Sequence, residues 1–121
     1  MDKIAIIADI HGNLEALNTV LEDIKKAQIP SSIKYISKYS FDRCNDLESI
    51  EFCKNSQLQS IGYSSFSYIK GPKNLIFPEK LRDVGFHSFF SAKNIRFIQF
   101  LSDSVSLQSS CFFLCNNLEL I

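Results

Sequence analysis

The chain has 121 residues, with 13 basic and 13 acidic side chains and a formal charge of zero. That is one modest domain, with no global field to draw it to nucleic acid or anionic lipid. An apolar fraction of 45% supports a core, and no apolar run reaches transmembrane length.

At the N-terminus, Lys3 to Asp9 reads KIAIIAD, an apolar run suited to a strand covered on both faces. The run is too short for a signal-peptide core, so a soluble and, by default, cytoplasmic chain is expected. His11-Gly12-Asn13 follows as a turn, with Asn13 placed to cap a helix. Leu14, Leu17, Val20, Leu21 and Ile24 then share one helical face, which predicts a helix over Leu14–Ala27 ended by Pro30. The first thirty residues therefore read as strand, turn and helix.

IADIHGNLEALNTVLEDI resembles the opening of the calcineurin-like metallophosphoesterases. In that family an Asp-x-His pair at the end of the first strand supplies two ligands to a two-metal centre. The resemblance implies Asp9 and His11 as metal ligands, with a divalent cation such as Mn or Zn as cofactor. The family's later Gly-Asp, Gly-Asn-His and Gly-His-x-His motifs have no counterpart here. His87, the other histidine, fits none of them. Two ligands cannot build a two-metal hydrolase, so no cofactor is expected and no catalytic residue is assigned. A degenerate or incomplete phosphoesterase is the alternative reading.

After Pro30, Ser, Asn and Phe become frequent and a repeat takes over. Phe41, Phe66, Phe89 and Phe112 recur at spacings of 25, 23 and 23 residues. Leu47, Ile50 and Phe52 follow the first, Ile95, Ile98 and Phe100 the third, and Leu118 and Ile121 the last. The unit at Phe66 fits with two extra residues placed around Gly71-Pro72. Ile61 and Val84 precede Gly62 and Gly85, whose missing side chains allow a sharp turn or positive φ. Such a period belongs to solenoids, in which one coil buries its inward side chains only against the next. Glu48, Glu51, Gln57, Gln59, Arg96 and Gln99 are expected on the exposed strand faces, either as a merely solvated surface or as a binding one.

Cys44 and Cys115 fall three residues after a repeat Phe and read as small buried hydrophobes, not as a disulfide. Cys53 and Cys111 show no such placement, and the spacing of the four does not suit zinc.

LQSIGYSSF and FDRCNDLESIEF resemble the units of the BspA-like leucine-rich repeat family. The fold expected is a β-rich solenoid of about four short coils of roughly 23 residues, preceded by the strand-turn-helix unit. Residues 1–30 would form a phosphoesterase-like unit, a possible N-terminal cap, and 31–121 the repeats, truncated at the C-terminus. The resemblance implies an interaction scaffold that binds a protein partner. An uncapped last coil, Leu118 to Ile121, adds self-association as the other expected contact.

Overall fold

The computed structural model describes residues 24–119, together with the backbone of Ile4–Ala5, Asp9–Ile10 and Asn13–Leu14. These residues form a parallel β-solenoid. Long strands β4 (Lys26–Ile29), β6 (Ser49–Phe52), β8 (Asn74–Phe77) and β10 (Phe97–Phe100) open successive coils. Short strands β5 (Tyr35–Ile36), β7 (Ser60–Ile61), β9 (Asp83–Val84) and β11 (Ser106–Leu107) form the second side. Before them lie β1 (Ile4–Ala5), β2 (Asp9–Ile10) and β3 (Asn13–Leu14).

Alternation along each long strand decides which side chains enter the core. In β8, Leu75 and Phe77 point inward and are buried, while Asn74 and Ile76 point out. Short strands β5, β7 and β9 carry one inward residue each. Ile36 pairs with Ile61, and Ile61 with Val84, in one six-stranded ladder.

Between β5 and β6, and in each later coil, the chain turns around a buried Phe. Phe41, Phe66 and Phe89 are fully buried, and Phe112 is half-buried against the same core. Their rings stack at 5.1, 5.1 and 5.4 Å between centroids, with planes 7°, 9° and 13° apart. A second stack joins Phe77 to Phe100 at 5.0 Å, and Phe77 meets Phe89 edge-on at 5.5 Å. The two stacks thus share one core.

The turn is shaped by residues in the left-handed region that are not glycines. Tyr39, Ser64, His87 and Ser110 stand two places before the repeat Phe, and Arg43, Tyr68, Ser91 and Leu114 two places after. Left-handed φ costs a residue with a Cβ ~1–2 kcal/mol. Hydrogen bonds between coils offset it: Tyr39, Phe41 and Arg43 N–H donate to the carbonyls of Tyr63, Ser65 and Ser67, at 2.9, 2.7 and 2.9 Å.

The two glycines serve another purpose than the one expected. Neither Gly62 nor Gly85 has a positive φ; each lies against the preceding coil's backbone. A Cβ on Gly85 would stand 2.9 Å from the Ile61 carbonyl oxygen and 2.9 Å from the Tyr63 nitrogen. Close approach of backbone to backbone excludes a side chain there.

The extra two residues of the second coil are also elsewhere than expected. Phe41 to Phe52, Phe66 to Phe77 and Phe89 to Phe100 are equally spaced, so Gly71-Pro72 adds nothing. The insertion lies after β6, in the connection from Cys53 to Gln59 that leads to β7. Beyond it the long-strand ladder is interrupted: β6 pairs only with β4, and β8 only with β10.

The predicted helix over Leu14–Ala27 is corrected at both ends. Asn13–Leu14 is strand β3, parallel to β5, and Lys26–Ala27 belongs to β4. Strand β1 lies parallel to β4, with Ala5 opposite Ala27. The backbone there already follows coil geometry, because apolar residues three and four apart suit a coil's short strands and turns as well as a helix. The rest of the predicted helix lies outside the described residues.

Candidate interaction surface

The outward side of the long strands presents two rows of side chains. Lys26, Ser49, Asn74 and Phe97 form one row, and Gln28, Glu51, Ile76 and Gln99 the other. The first two coils are polar here. Lys26 Nζ lies 2.8 Å from Glu51, and Gln28 Nε2 donates to the same carboxylate at 3.4 Å. The hydrogen bond from Lys26 holds the Glu51 carboxyl below its ordinary range.

The last two coils each carry one apolar residue on the same side. Ile76 is 53% exposed and Phe97 is half-buried beside it. Together with Asn74, Gln99 and the backbone of β8 and β10 they line a shallow depression of about 640 Å³. Sequence reasoning passed over Ile76 and Phe97. The signal was available: Asn74–Phe77 has three apolar residues in a row, one more than a strand with a single buried face requires.

Flanking this surface are charged pairs that join coil to coil. Lys70 Nζ is 3.0 Å from Glu48 and lowers its carboxyl by that hydrogen bond, and Arg96 pairs with Glu119. Glu48, Glu51, Gln57 and Gln99 are exposed, while Gln59 and Arg96 are half-covered. On the turn side, Tyr39, Tyr63, Phe86, His87, Phe90 and Phe113 form an outer aromatic ladder. Successive contacts run from 3.8 Å for Phe86–His87 to 5.7 Å for Phe90–Phe113. The Arg43 guanidinium lies 4.6 Å from the centre of the Tyr68 ring.

Of the repeat-core residues named from sequence, Leu47, Ile61, Val84, Ile95 and Ile98 are buried with the Phe spine. Ile50, Phe52 and Leu118 are partly buried against it. Ile121 lies outside the described residues.

All four cysteines are free thiols. Cys44 and Cys115 are buried after their Phe, in the place that Ile69 and Ala92 hold in the other coils. Cys111 is also buried and does have a place in the repeat: it stands where Ser40, Ser65 and Ser88 precede their Phe. Cys53, in the inserted connection, is exposed.

Asp9 begins strand β2, paired antiparallel with β3, and nothing of its side chain is described. His11 lies outside the described residues. Among the described residues no three His, Cys, Asp or Glu side chains gather as a metal site would need. No helix among them is long and apolar enough to cross a membrane.

A family model described as a BspA-type leucine-rich repeat region matches residues 18–121 in six copies. No curated protein matches the chain. Among solved structures it resembles the pneumococcal vaccine antigen PcpA, at 26% identity and a TM-score of 0.61. That likeness covers 84% of this chain and 25% of that one. A leucine-rich repeat protein from Bacteroides ovatus is similar in fold, at 21% identity and a TM-score of 0.56. There the coverage is 80% of this chain and 30% of that one. The chain thus spans about a quarter to a third of the length of either.

Proposed function

The chain belongs to the BspA-type leucine-rich repeat family, and on that premise we propose that it is a non-catalytic scaffold binding a protein partner. The observation that carries this is the apolar patch on an otherwise polar strand face. Ile76, 53% exposed, stands in a row with Gln28, Glu51 and Gln99, next to the half-buried Phe97. An exposed branched side chain on a strand in the middle of the solenoid is the material of an interface core, with charged pairs around it as the rim.

Self-association is the second contact we propose, through the last described coil. Leu107, Phe113 and Leu114 are 41%, 54% and 44% exposed there. A second copy laid on that coil would cover them and pair the outer edge of β11, which has no partner strand among the described residues.

Selection of binding proteins from a display library on the intact chain tests the scaffold reading. Binders that lose at least about tenfold in affinity on Ile76→Lys, and none on Asp9→Ala, are the expected result. Hydrolysis of an aryl phosphate that requires Mn²⁺ or Zn²⁺ and is abolished by Asp9→Ala would overturn it in favour of a phosphoesterase.

A further inference from the structure

Strand β8 has the sequence of an edge strand, yet it sits in the middle of the solenoid. In the last coil, Phe97 and Leu101 N–H donate to the Lys73 and Phe77 carbonyls, at 3.1 Å each. Residues 73, 75 and 77 therefore turn their backbone groups toward β10. By the alternation of a parallel ladder, residues 72, 74, 76 and 78 turn theirs toward β6. Two of those four are Pro72 and Pro78, which have no N–H. Leu101, one coil later in the place of Pro78, makes the bond that Pro78 cannot. At the other end Gly71 N–H donates to the Leu47 carbonyl at 2.8 Å, whereas Glu48 and Ser49 reach Lys25, and Arg96 and Phe97 reach Lys73.

The opening is one-sided. The short-strand ladder and the Phe stack run through all coils without a break. Between β6 and β8 they leave a cleft of about 780 Å³. Its walls offer the Asn74 and Ile76 backbone groups on one side and those of Ile50 and Phe52 on the other. Side chains report the same gap: Ile50 and Phe52 are only half-buried, while Leu75 and Phe77, their equivalents one coil later, are buried. Unpaired strand backbone above apolar side chains is complementary to one kind of ligand, another strand.

We propose that this cleft takes an extended polypeptide segment of a partner protein as an added strand between β6 and β8. The proposal rests on the scaffold reading and locates its contact. A segment with apolar residues at every second position would set them on Ile50 and Phe52. Charge fixes its end. Glu51 is already matched by Lys26, and the other two charges lining the cleft, Lys54 and Glu79, follow β6 and β8 at the same end. Neither has an ion pair among the described residues. One basic and one acidic residue, two places apart on the ligand's outward side, would meet both.

The probe is the peptide acetyl-Val-Thr-Val-Lys-Val-Glu-amide, titrated into the full chain while amide exchange is followed residue by residue. Saturable binding with at least about tenfold slower exchange at the Asn74 and Ile76 amides is expected. The same peptide with alternate amides N-methylated should not bind. Three results each overturn the proposal: no binding at about 1 mM, the weak end of specific affinity; equal binding of the methylated peptide; or Asn74 and Ile76 amides already as protected in the free chain as those of Phe97 and Gln99, which face β8. A partner that binds elsewhere and leaves these amides in fast exchange sinks the cleft but not the scaffold.

Discussion

Phe66 lies face to face with Phe89, their ring centroids 5.1 Å apart and their planes 9° from parallel. Both rings are fully buried, and Phe66 stacks on Phe41 in the same way on its other side. Replacing Phe66 removes a ring from the middle of a stack whose neighbours are fixed by inter-coil hydrogen bonds, so the void cannot collapse. Phe66→Ala should destabilise the chain by about 3–5 kcal/mol in urea unfolding. A loss below roughly 1 kcal/mol would mean that the stack carries little of the fold.

That spine was legible in the sequence because stacking requires the same side chain at the same place in every coil. Period and residue type then coincide, as they do for Phe41, Phe66, Phe89 and Phe112. The insertion was less legible. An extra pair of residues is easily assigned to a conspicuous Gly71-Pro72, whereas Cys53 to Gln59 contains neither Gly nor Pro. The two ends of the predicted helix misled for another reason: Leu14 and Ala27 fit a helical period, and only pairing with β5 and β6 shows them as strand. The surplus apolar residue at Ile76 was legible in its own strand, but its place beside Phe97 needed the register between strands.

Gly85 donates its N–H to the Ile61 carbonyl at 2.8 Å, and its Cα has no room for a methyl group. Gln108 stands at the same place in the last coil, where its N–H reaches the Val84 carbonyl at 3.0 Å. A side chain is therefore accepted only where the coil sits slightly farther away. Gly85→Ala should push coils apart and cost about 1–3 kcal/mol, measured by denaturant unfolding. An unchanged midpoint would show that the coils can separate freely at this point.

Ser88 is fully buried and its hydroxyl donates to the Gly85 carbonyl at 2.6 Å, with the Gly62 carbonyl at 3.1 Å. The hydroxyl thus ties a turn to itself and to the coil before it. Ser88→Ala should lose about 1 kcal/mol, a typical net value for one intramolecular hydrogen bond. Ser88→Cys should lose less, since Cys111 fills the same place one coil later. Equal losses for both would mean that volume, not the hydroxyl, sets the residue.

The thiols should separate by burial. Cys53 is exposed and should be alkylated by iodoacetamide in the native chain, while Cys44, Cys111 and Cys115 should react only on unfolding. Burial pushes the Cys115 thiol up to about 11 from an ordinary 9.0, and its Sγ–H donates to the Phe89 carbonyl at 3.1 Å. Folded chains therefore hold this proton at a pH where unfolded chains have released it. Between pH 9 and 11 the unfolded state binds fewer protons, so stability falls as pH rises through that window and is undiminished below it. Cys115→Ala removes this one contribution, and Ala92 at the equivalent place shows that the space accepts alanine. The variant should lose less stability than the parent chain between pH 9 and 11, measured by urea unfolding at each pH. Parallel curves for the two chains would show that the Cys115 thiol ionises as readily folded as unfolded, and that its burial is not maintained in solution.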